Sequence, residues 1–399
     1  MNVLILDTGK EWGGGTNSLL ELLKRVDRKK YQFYVLFYIN CKQDEESDIK
    51  TEIEKFGIPF LLQTQEKQSL LIKVLKELVR TIFFFSKGLK KYLIFFIDYQ
   101  TRIRNNAERI ARILRDRRVD LLYMNNQPST NLEGIIASKM TGVPALQHSR
   151  IETRLNLFEV RAANQWLSKI ICVSEGVRDA LLERGVDSAK CVVAYNGISS
   201  GTEPRRSPEE IKSEWGIGDD DVLIGTVGSL IKRKRIGDLI EAMYMIEGVK
   251  CLIVGKGPEK EVLLELVKKR GLNDRVIFTG FQTDAVSYIN AMDIFVMPSE
   301  QEGFPRVVLE AMLMQKPVVA ARIRGTEELV ANNKTGMLFQ RGNTKELAQY
   351  LTELLLSPSV GKDMGAAGKK RVVENFSIEK YVNKVQEVIG EVMEVNNVR

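Results

Sequence analysis

A single histidine, His148, stands in 399 residues, and the four cysteines, Cys41, Cys172, Cys191 and Cys251, are scattered without Cys-x-x-Cys spacing. One histidine cannot complete a zinc site with thiols so dispersed, and four unclustered cysteines make no disulfide framework. The thiols read as buried and reduced, as in a cytosolic protein. Long apolar runs are lacking too. The aromatic stretches 82–85 and 92–97 fall far short of the roughly 20 apolar residues that cross a bilayer. At the N-terminus, MNVLILDTGKEW has four apolar residues (3–6) before Asp7, which reads as a first strand rather than a secretory signal. HExxH, nucleophile-elbow, EF-hand, GxGxxG and Walker A patterns are missing, which disfavours the usual metalloprotease, hydrolase, dinucleotide and ATP sites. No low-complexity tract or short repeat is present.

What is there is the composition of a soluble globular protein, long enough for two domains near 200 residues each. The net charge of +7 is unevenly placed: residues 69–118 hold 13 basic and 4 acidic residues, more than the whole surplus. Lys87, Lys90 and Lys91 separate the two aromatic stretches. This region suits a peripheral helix lying on an anionic membrane face, or else a helical pair packed on its domain with the lysines reaching to water. Nucleic acid is not expected as a partner, because no recognised motif accompanies the charge.

Apolar runs alternate with amphipathic segments: 3–6 then 18–26, 33–38 then 45–56, 121–124 then 131–141. After the run 169–173 comes Ser174, an N-cap candidate for a helix over 175–184, and 191–195 reads as another strand. The polar stretch SSGTEPRRSPEE (199–210) marks a linker. The pattern then restarts with strands at 222–227, 251–254 and 276–278 and helices at 236–246, 259–270 and 284–291. Repeated βαβ patterning predicts an α/β fold with parallel sheets and helices on both faces, in two similar halves.

The most informative segment is PSEQEGFPRVVLEAMLM, residues 298–314. It follows an apolar strand-like run (293–297) and leads into an apolar helical period at Val307, Val308, Ala311 and Met312. Pro305 suits a first helical position. The free N–H groups of that first turn, with the flexible Gly303, can hold an anionic diphosphate, while Glu302 and Glu310 can accept from hydroxyls on either side of it. Three other strand-to-helix loops bear on the same chemistry. WGGGTNS (12–18) lets backbone amides approach a phosphate, or is a tight turn. GSLIKRK (228–234) is basic, and GKGPE (255–259) is glycine-rich. His148 lies in ALQHSR (145–150) at the end of a probable strand, where ligands gather in open α/β sheets. Arg150 and Arg154 beside it serve anionic groups or surface ion pairs. The triplet Asp219-Asp220-Asp221 precedes its strand and reads as a solvated turn rather than a metal site, so no metal is expected.

Residues 302–312 resemble the EGFxxxxLEAM signature of retaining glycosyltransferases of family 4, which have the GT-B fold, and the pattern continues from near residue 1 to about 382. The resemblance implies two Rossmann-like domains facing across a cleft, with a C-terminal helix returning to the first. The expected boundaries are 1–199 plus 378–399 for the acceptor domain and 200–377 for the nucleotide-sugar domain. It implies donor contacts from Gly14, Gly15 and Thr16, with Asn17 on the acceptor side. His148 is implied near the reacting sugar carbon, Lys234 on the diphosphate, and Gly255, Phe281 and Gln282 near the nucleotide. Gly255 and Phe281 also admit a purely structural reading. Glu302 is implied to orient the sugar, Glu310 to bind the ribose, and Gly303, Phe304, Pro305 and Arg306 to meet the phosphates. Ser229 departs from the pattern, since an arginine is usual there, and Arg233, Arg235 or Arg306 is left to supply the charge. The implied activity is metal-independent, retaining transfer of a sugar from a nucleotide diphosphate sugar, with UDP as the expected nucleotide and no further cofactor. The implied acceptor is a saccharide or lipid-linked saccharide in bacterial cell-surface polysaccharide synthesis, on the cytoplasmic side of the membrane. A nucleotide-sugar epimerase and a silent subunit of a polysaccharide-assembly complex are the alternatives.

Overall fold

The computed structural model describes residues 1–10, 12–42, 47–65 and 68–397. The chain divides into two compact units: Met1–Cys172 with Arg178–Val193 and the residues from Lys384 onward, and Val173–Val177 with Ala194–Asn383. The last helix, Ile378–Asn397, belongs to both, changing unit at Lys384. In the first unit Gln386 Oε1 accepts from the Asp27 N–H at 2.9 Å.

Unit 1 is built on seven parallel strands: β1 (Asn2–Asp7), β2 (Gln32–Phe37), β3 (Phe60–Leu62), β4 (Leu121–Asn125), β5 (Ala145–Ser149), β6 (Lys169–Cys172) and β7 (Cys191–Val193). Their order is β3-β2-β1-β4-β5-β6-β7, so the winding reverses between β1 and β4. Unit 2 has six: β8 (Val222–Val227), β9 (Val249–Val254), β10 (Val276–Gly280), β11 (Ile294–Met297), β12 (Val318–Ala321) and β13 (Gly336–Phe339). Their order, β10-β9-β8-β11-β12-β13, reverses between β8 and β11. The α/β class with doubly wound parallel sheets is as the βαβ patterning predicts. Strands covered on both faces read as continuous apolar runs, and residues 3–6, 121–124 and 294–297 are all buried.

Local signals place most helix starts. Ser174 Oγ accepts from the Val177 N–H at 3.1 Å, the cap expected for the helix Glu175–Leu182. In the segment expected over 45–56, residues 45 and 46 lie outside the described ones, and the helix spans Ile49–Glu54 with Asp48 as its cap. The short strands β3, β12 and β13 were not expected, since three or four residues carry too little periodicity to separate a strand from a loop.

The basic region forms the helices Leu70–Ile82 and Lys87–Asp98, followed by a π-helical turn, Tyr99–Ile103, that runs into Arg104–Asp116. Neither of the first two helices has a buried residue. Gln68 and the Lys76–Asp98 ion pair join them at one end. Phe95 and Tyr99 fasten the second to Phe158, with ring centroids 5.2 and 5.6 Å apart.

Candidate active site

In open α/β sheets, ligands bind beyond the carboxyl ends of the strands where the winding reverses. In unit 2 that point lies between β8 and β11, and the loops leaving those two strands are GSLIKRK and PSEQEGFP. The structure brings them together. Leu230, fully buried, anchors the first loop, and its N–H donates to the Lys256 carbonyl at 2.9 Å. The chain then makes a 3₁₀ turn, Lys232–Lys234. The Glu300 N–H donates to the Arg233 carbonyl at 2.8 Å, which fastens the second loop to this turn. Lys234 Nζ lies 2.7 Å and Arg233 Nη1 3.0 Å from the same oxygen, Glu302 Oε1. Arg233 also donates to the Gln301 carbonyl.

Burial pushes the Glu302 carboxyl up, but Lys234 and Arg233 outweigh it, and the group is held below the usual carboxylate range. Glu310 is shifted the other way. Burial raises it, and the Arg306 guanidinium, with Nε 3.1 Å from Glu310 Oε1, offsets this only in part. The two glutamates of the motif therefore differ: Glu302 is an ionised partner of two cations, whereas Glu310 has one, Arg306, and sits above the usual carboxylate range.

Pro305 is the N-cap of the helix Arg306–Leu313, not its first residue, because its ψ of 112° is extended. No side chain caps that helix, so its first amides are free of such a partner. Phe304 is buried between Tyr195 and Phe376, with centroids at 5.0 and 5.2 Å, and its carbonyl accepts from Asn196 Nδ2 at 3.2 Å. Its ring therefore fixes the helix entry by packing. Gly325 went unnoticed in the sequence. A Cβ there would sit 2.6 Å from the Glu302 carbonyl and 2.7 Å from that of Gly303, so only glycine lets its helix support the loop.

Gly255 has a structural reason of its own. Its φ is +147°, and a Cβ would lie 1.9 Å from the Gly228 carbonyl. Lys256 Nζ stands 4.8 Å over the Phe281 ring, Gln282 Nε2 donates to the Thr279 carbonyl at 3.1 Å, and Ser229 is exposed. The aspartate triplet forms a turn in which Asp221 accepts from the Gly218 N–H at 2.9 Å. No group of three or more metal-ligating side chains is found among the described residues.

In unit 1 the reversal falls between β1 and β4. Gly14, Gly15 and Thr16, expected in a loop, form the first turn of the helix Gly14–Arg25, capped by the backbone of Gly13 alone. Gly14 is exposed, and Gly15 lies against Arg150, whose Cγ would be 3.5 Å from an added Cβ. Trp12 Nε1 donates to Asn17 Oδ1 at 2.9 Å. Arg150 is buried, with Nε 2.7 Å from Asn125 Oδ1, whereas Arg154 is exposed. Asp7, at the end of β1, accepts from Asn125, from Asn126 at 2.6 Å and from the Gly9 N–H at 3.1 Å. Asp7 and Asn125 of this buried Asp7–Asn125–Arg150 chain lie outside the glycine-loop and histidine motifs of this unit. The available signal was an aspartate and an asparagine pair closing two apolar strands.

His148 is fully buried (0% exposed) inside β5, with its Nδ1 hydrogen-bonded to the Tyr123 hydroxyl. Burial, with the Arg150 charge second, depresses its pKa well below the ordinary imidazole value, so it stays neutral in the folded chain. The unfolded chain takes up a proton near pH 6.5 and the folded one does not, so this histidine subtracts stability as pH falls below that value. Below pH 6.5 the wild type is expected to lose stability more steeply with falling pH than His148→Gln. Denaturant titrations at pH 7, 6 and 5 check this, and equal slopes for the two proteins would refute it.

Residues 12–201 match the family model described as Glycosyltransferase Family 4, and 207–371 that described as Glycosyl transferases group 1. Among curated proteins, N-acetyl-alpha-D-glucosaminyl L-malate synthase of Bacillus anthracis is 31% identical over 202 residues, covering 50% of this chain and 53% of that one. The capsular polysaccharide biosynthesis glycosyltransferase CapM of Staphylococcus aureus is 27% identical over 275 residues, covering 63% and 71%. The alignments span about half the length of the first two curated relatives, 53% and 52%. Anabaena HepE, solved in complex with UDP-glucose, superposes with a TM-score of 0.79 at 22% identity over 98% of this chain and 100% of its own. At that identity the likeness speaks for the fold.

Proposed function

The chain belongs to the glycosyltransferases of family 4 and group 1, with the GT-B fold, and from that premise we propose that it moves a sugar from a nucleotide diphosphate sugar, with UDP as the nucleotide, to a hydroxyl acceptor with retention and without a metal. The observation that carries this reading is the convergence of Lys234 and Arg233 on Glu302 at the β8–β11 switch point, beside the uncapped start of the helix Arg306–Leu313.

A diphosphate entering there meets cations and free amides, which neutralise the charge that grows on the leaving group, the largest requirement of the reaction. As the cations turn to the phosphates, Glu302 is released to accept from sugar hydroxyls. Glu310 takes the ribose, Gly255 and Phe281 flank the nucleotide, and Gly303 to Arg306 offer backbone and guanidinium donors. Unit 1 takes the acceptor, with Gly14, Gly15 and Thr16 supplying helix-start amides toward the donor. His148, neutral and enclosed, holds the end of β5 and transfers no proton. The bond from the anomeric carbon to the β-phosphate oxygen breaks as the acceptor oxygen bonds to the same face. The acceptor proton passes to the departing phosphate oxygen, so no carboxylate nucleophile is needed.

The acceptor is a saccharide, free or lipid-linked, of a cell-surface polysaccharide, a reading supported by the capsular and lipopolysaccharide assignments of relatives. It is met on the cytoplasmic side, where the helices Leu70–Ile82 and Lys87–Asp98 rest on an anionic membrane face. No described helix is long and apolar enough to cross a membrane. Calorimetry with UDP, GDP and ADP tests the donor reading. One nucleotide is expected to bind, and Glu310→Ala to weaken it by about tenfold or more through loss of a charged hydrogen bond. Absence of binding to all three would overturn the reading in favour of a silent subunit.

A further inference from the structure

Unit 2 carries three arginines beside the proposed diphosphate subsite, and their charge balance separates them. Arg235 makes a bidentate pair with Asp238, at 2.7 and 3.0 Å, so that its charge is matched one to one. Arg306 is likewise matched by Glu310 at 3.1 Å. Its Nη1 is buried without a hydrogen-bond partner among the described residues, which offers a spare donor but no surplus charge. Arg233 differs, because Lys234 already claims the oxygen it uses. Two cations on Glu302 Oε1 leave one positive charge with no counter-ion among the described residues.

The surplus sits where an anion can reach it. The Arg233 side chain is about one-third exposed, at 32%, while its backbone is clamped by Glu300. The position that would otherwise supply a cation, Ser229, is exposed and next to Gly228. An added Cβ on Gly228 would be 3.7 Å from Lys234 Nζ, so position 229 lies beside the same cluster. A neutral serine there leaves the second positive charge to another residue, and of Arg233, Arg235 and Arg306 it is Arg233 whose charge is unmatched among the described residues.

We infer that Arg233 is the second cation of the diphosphate subsite, held on Glu302 together with Lys234 and turned to the phosphates when nucleotide binds. This rests on the donor reading above. Without Arg233 the cluster is a neutral Lys234–Glu302 pair, whose affinity for a dianion is much lower and whose binding responds less to salt.

The test is calorimetry of UDP, GDP and ADP at two ionic strengths with the wild type, Arg233→Ala, Arg235→Ala, Lys234→Ala and the double variant Arg233→Ala/Ser229→Arg, each checked for an unchanged far-UV spectrum and melting curve. Arg233→Ala is expected to weaken the bound nucleotide about 10- to 100-fold and to flatten its salt dependence. Arg235→Ala should stay within about twofold of the wild type, and Ser229→Arg should recover part of the loss. If Arg233→Ala misfolds, Arg233→Lys replaces it, with partial retention expected because the charge remains but the fork is lost. Wild-type binding that Lys234→Ala abolishes and Arg233→Ala leaves within twofold would overturn this inference and spare the donor reading. A wild type that binds none of the three would overturn both.

Discussion

Replacing Lys234 with alanine lowers kcat/KM by about 10²- to 10³-fold, measured as nucleoside diphosphate release from the sugar nucleotide that calorimetry selects. Preorganised donors aimed at a leaving group's growing charge are worth this much, because they act in a site that excludes water and need not reorganise during the reaction. Lys234 is the stronger of the two cations on Glu302, at 2.7 Å against 3.0 Å for Arg233, and the less exposed, at 15% against 32%. Its removal also leaves a largely enclosed carboxylate with one cationic partner, which lets Glu302 claim Arg233 and hold it away from the phosphates. Both effects act on the transition state more than on the ground state, so kcat falls with kcat/KM. A loss below tenfold with the fold intact would show that the charge on the leaving group is met elsewhere.

Exchanging Lys87, Lys90 and Lys91 for glutamate releases the chain from vesicles containing anionic lipid, with an affinity loss of about 100-fold or more. A basic residue near an anionic surface is worth about 1 kcal/mol, so losing three already costs about 3 kcal/mol before repulsion is counted. These lysines, with Lys73, have no ion-pair partner among the described residues, whereas Lys76 and Arg80 are matched by Asp98 and Glu77. Beside them Leu71, Phe84 and Phe85 stand 82%, 75% and 70% exposed, the last two in the turn between the helices. Apolar surface of this extent is uncommon on a free monomer, and charge of one sign around it favours an anionic bilayer over a neutral partner. The ion pair of Lys76 with Asp98 and the rings of Phe95, Tyr99 and Phe158 hold the helix pair on its unit. Sedimentation with phosphatidylglycerol and with phosphatidylcholine vesicles separates the outcomes. Binding to the first alone, lost in the triple variant, is expected. Equal binding of wild type and variant would refute the proposal, as would assembly of the wild type into dimers that Phe84→Ser and Phe85→Ser abolish.

Much of this molecule was legible in one dimension because its sheets are parallel and buried. Apolar runs such as 3–6 and 121–124 read as interior strands because each precedes an amphipathic segment long enough to cross over as a helix. The motif residues were legible because backbone anion sites need glycine, proline and a helix start in fixed order. Distance along the chain hid the rest. Residues 233 and 302 share one oxygen contact although nearly seventy positions separate them, and no local pattern chooses Arg233 over Arg235 or Arg306. That choice lies in which carboxylate each guanidinium meets. Burial was equally beyond the sequence: His148 in ALQHSR looks like a strand-edge ligand, but the tertiary structure encloses it against Tyr123 and keeps it neutral, while Arg150, two residues on, is drawn inward to Asn125. The sequence by itself determined the fold class and the loops that carry the chemistry, since these follow from periodicity and backbone freedom. Only the tertiary structure decided which charges are matched and which are spare, because pairing energy depends on separation and desolvation in three dimensions.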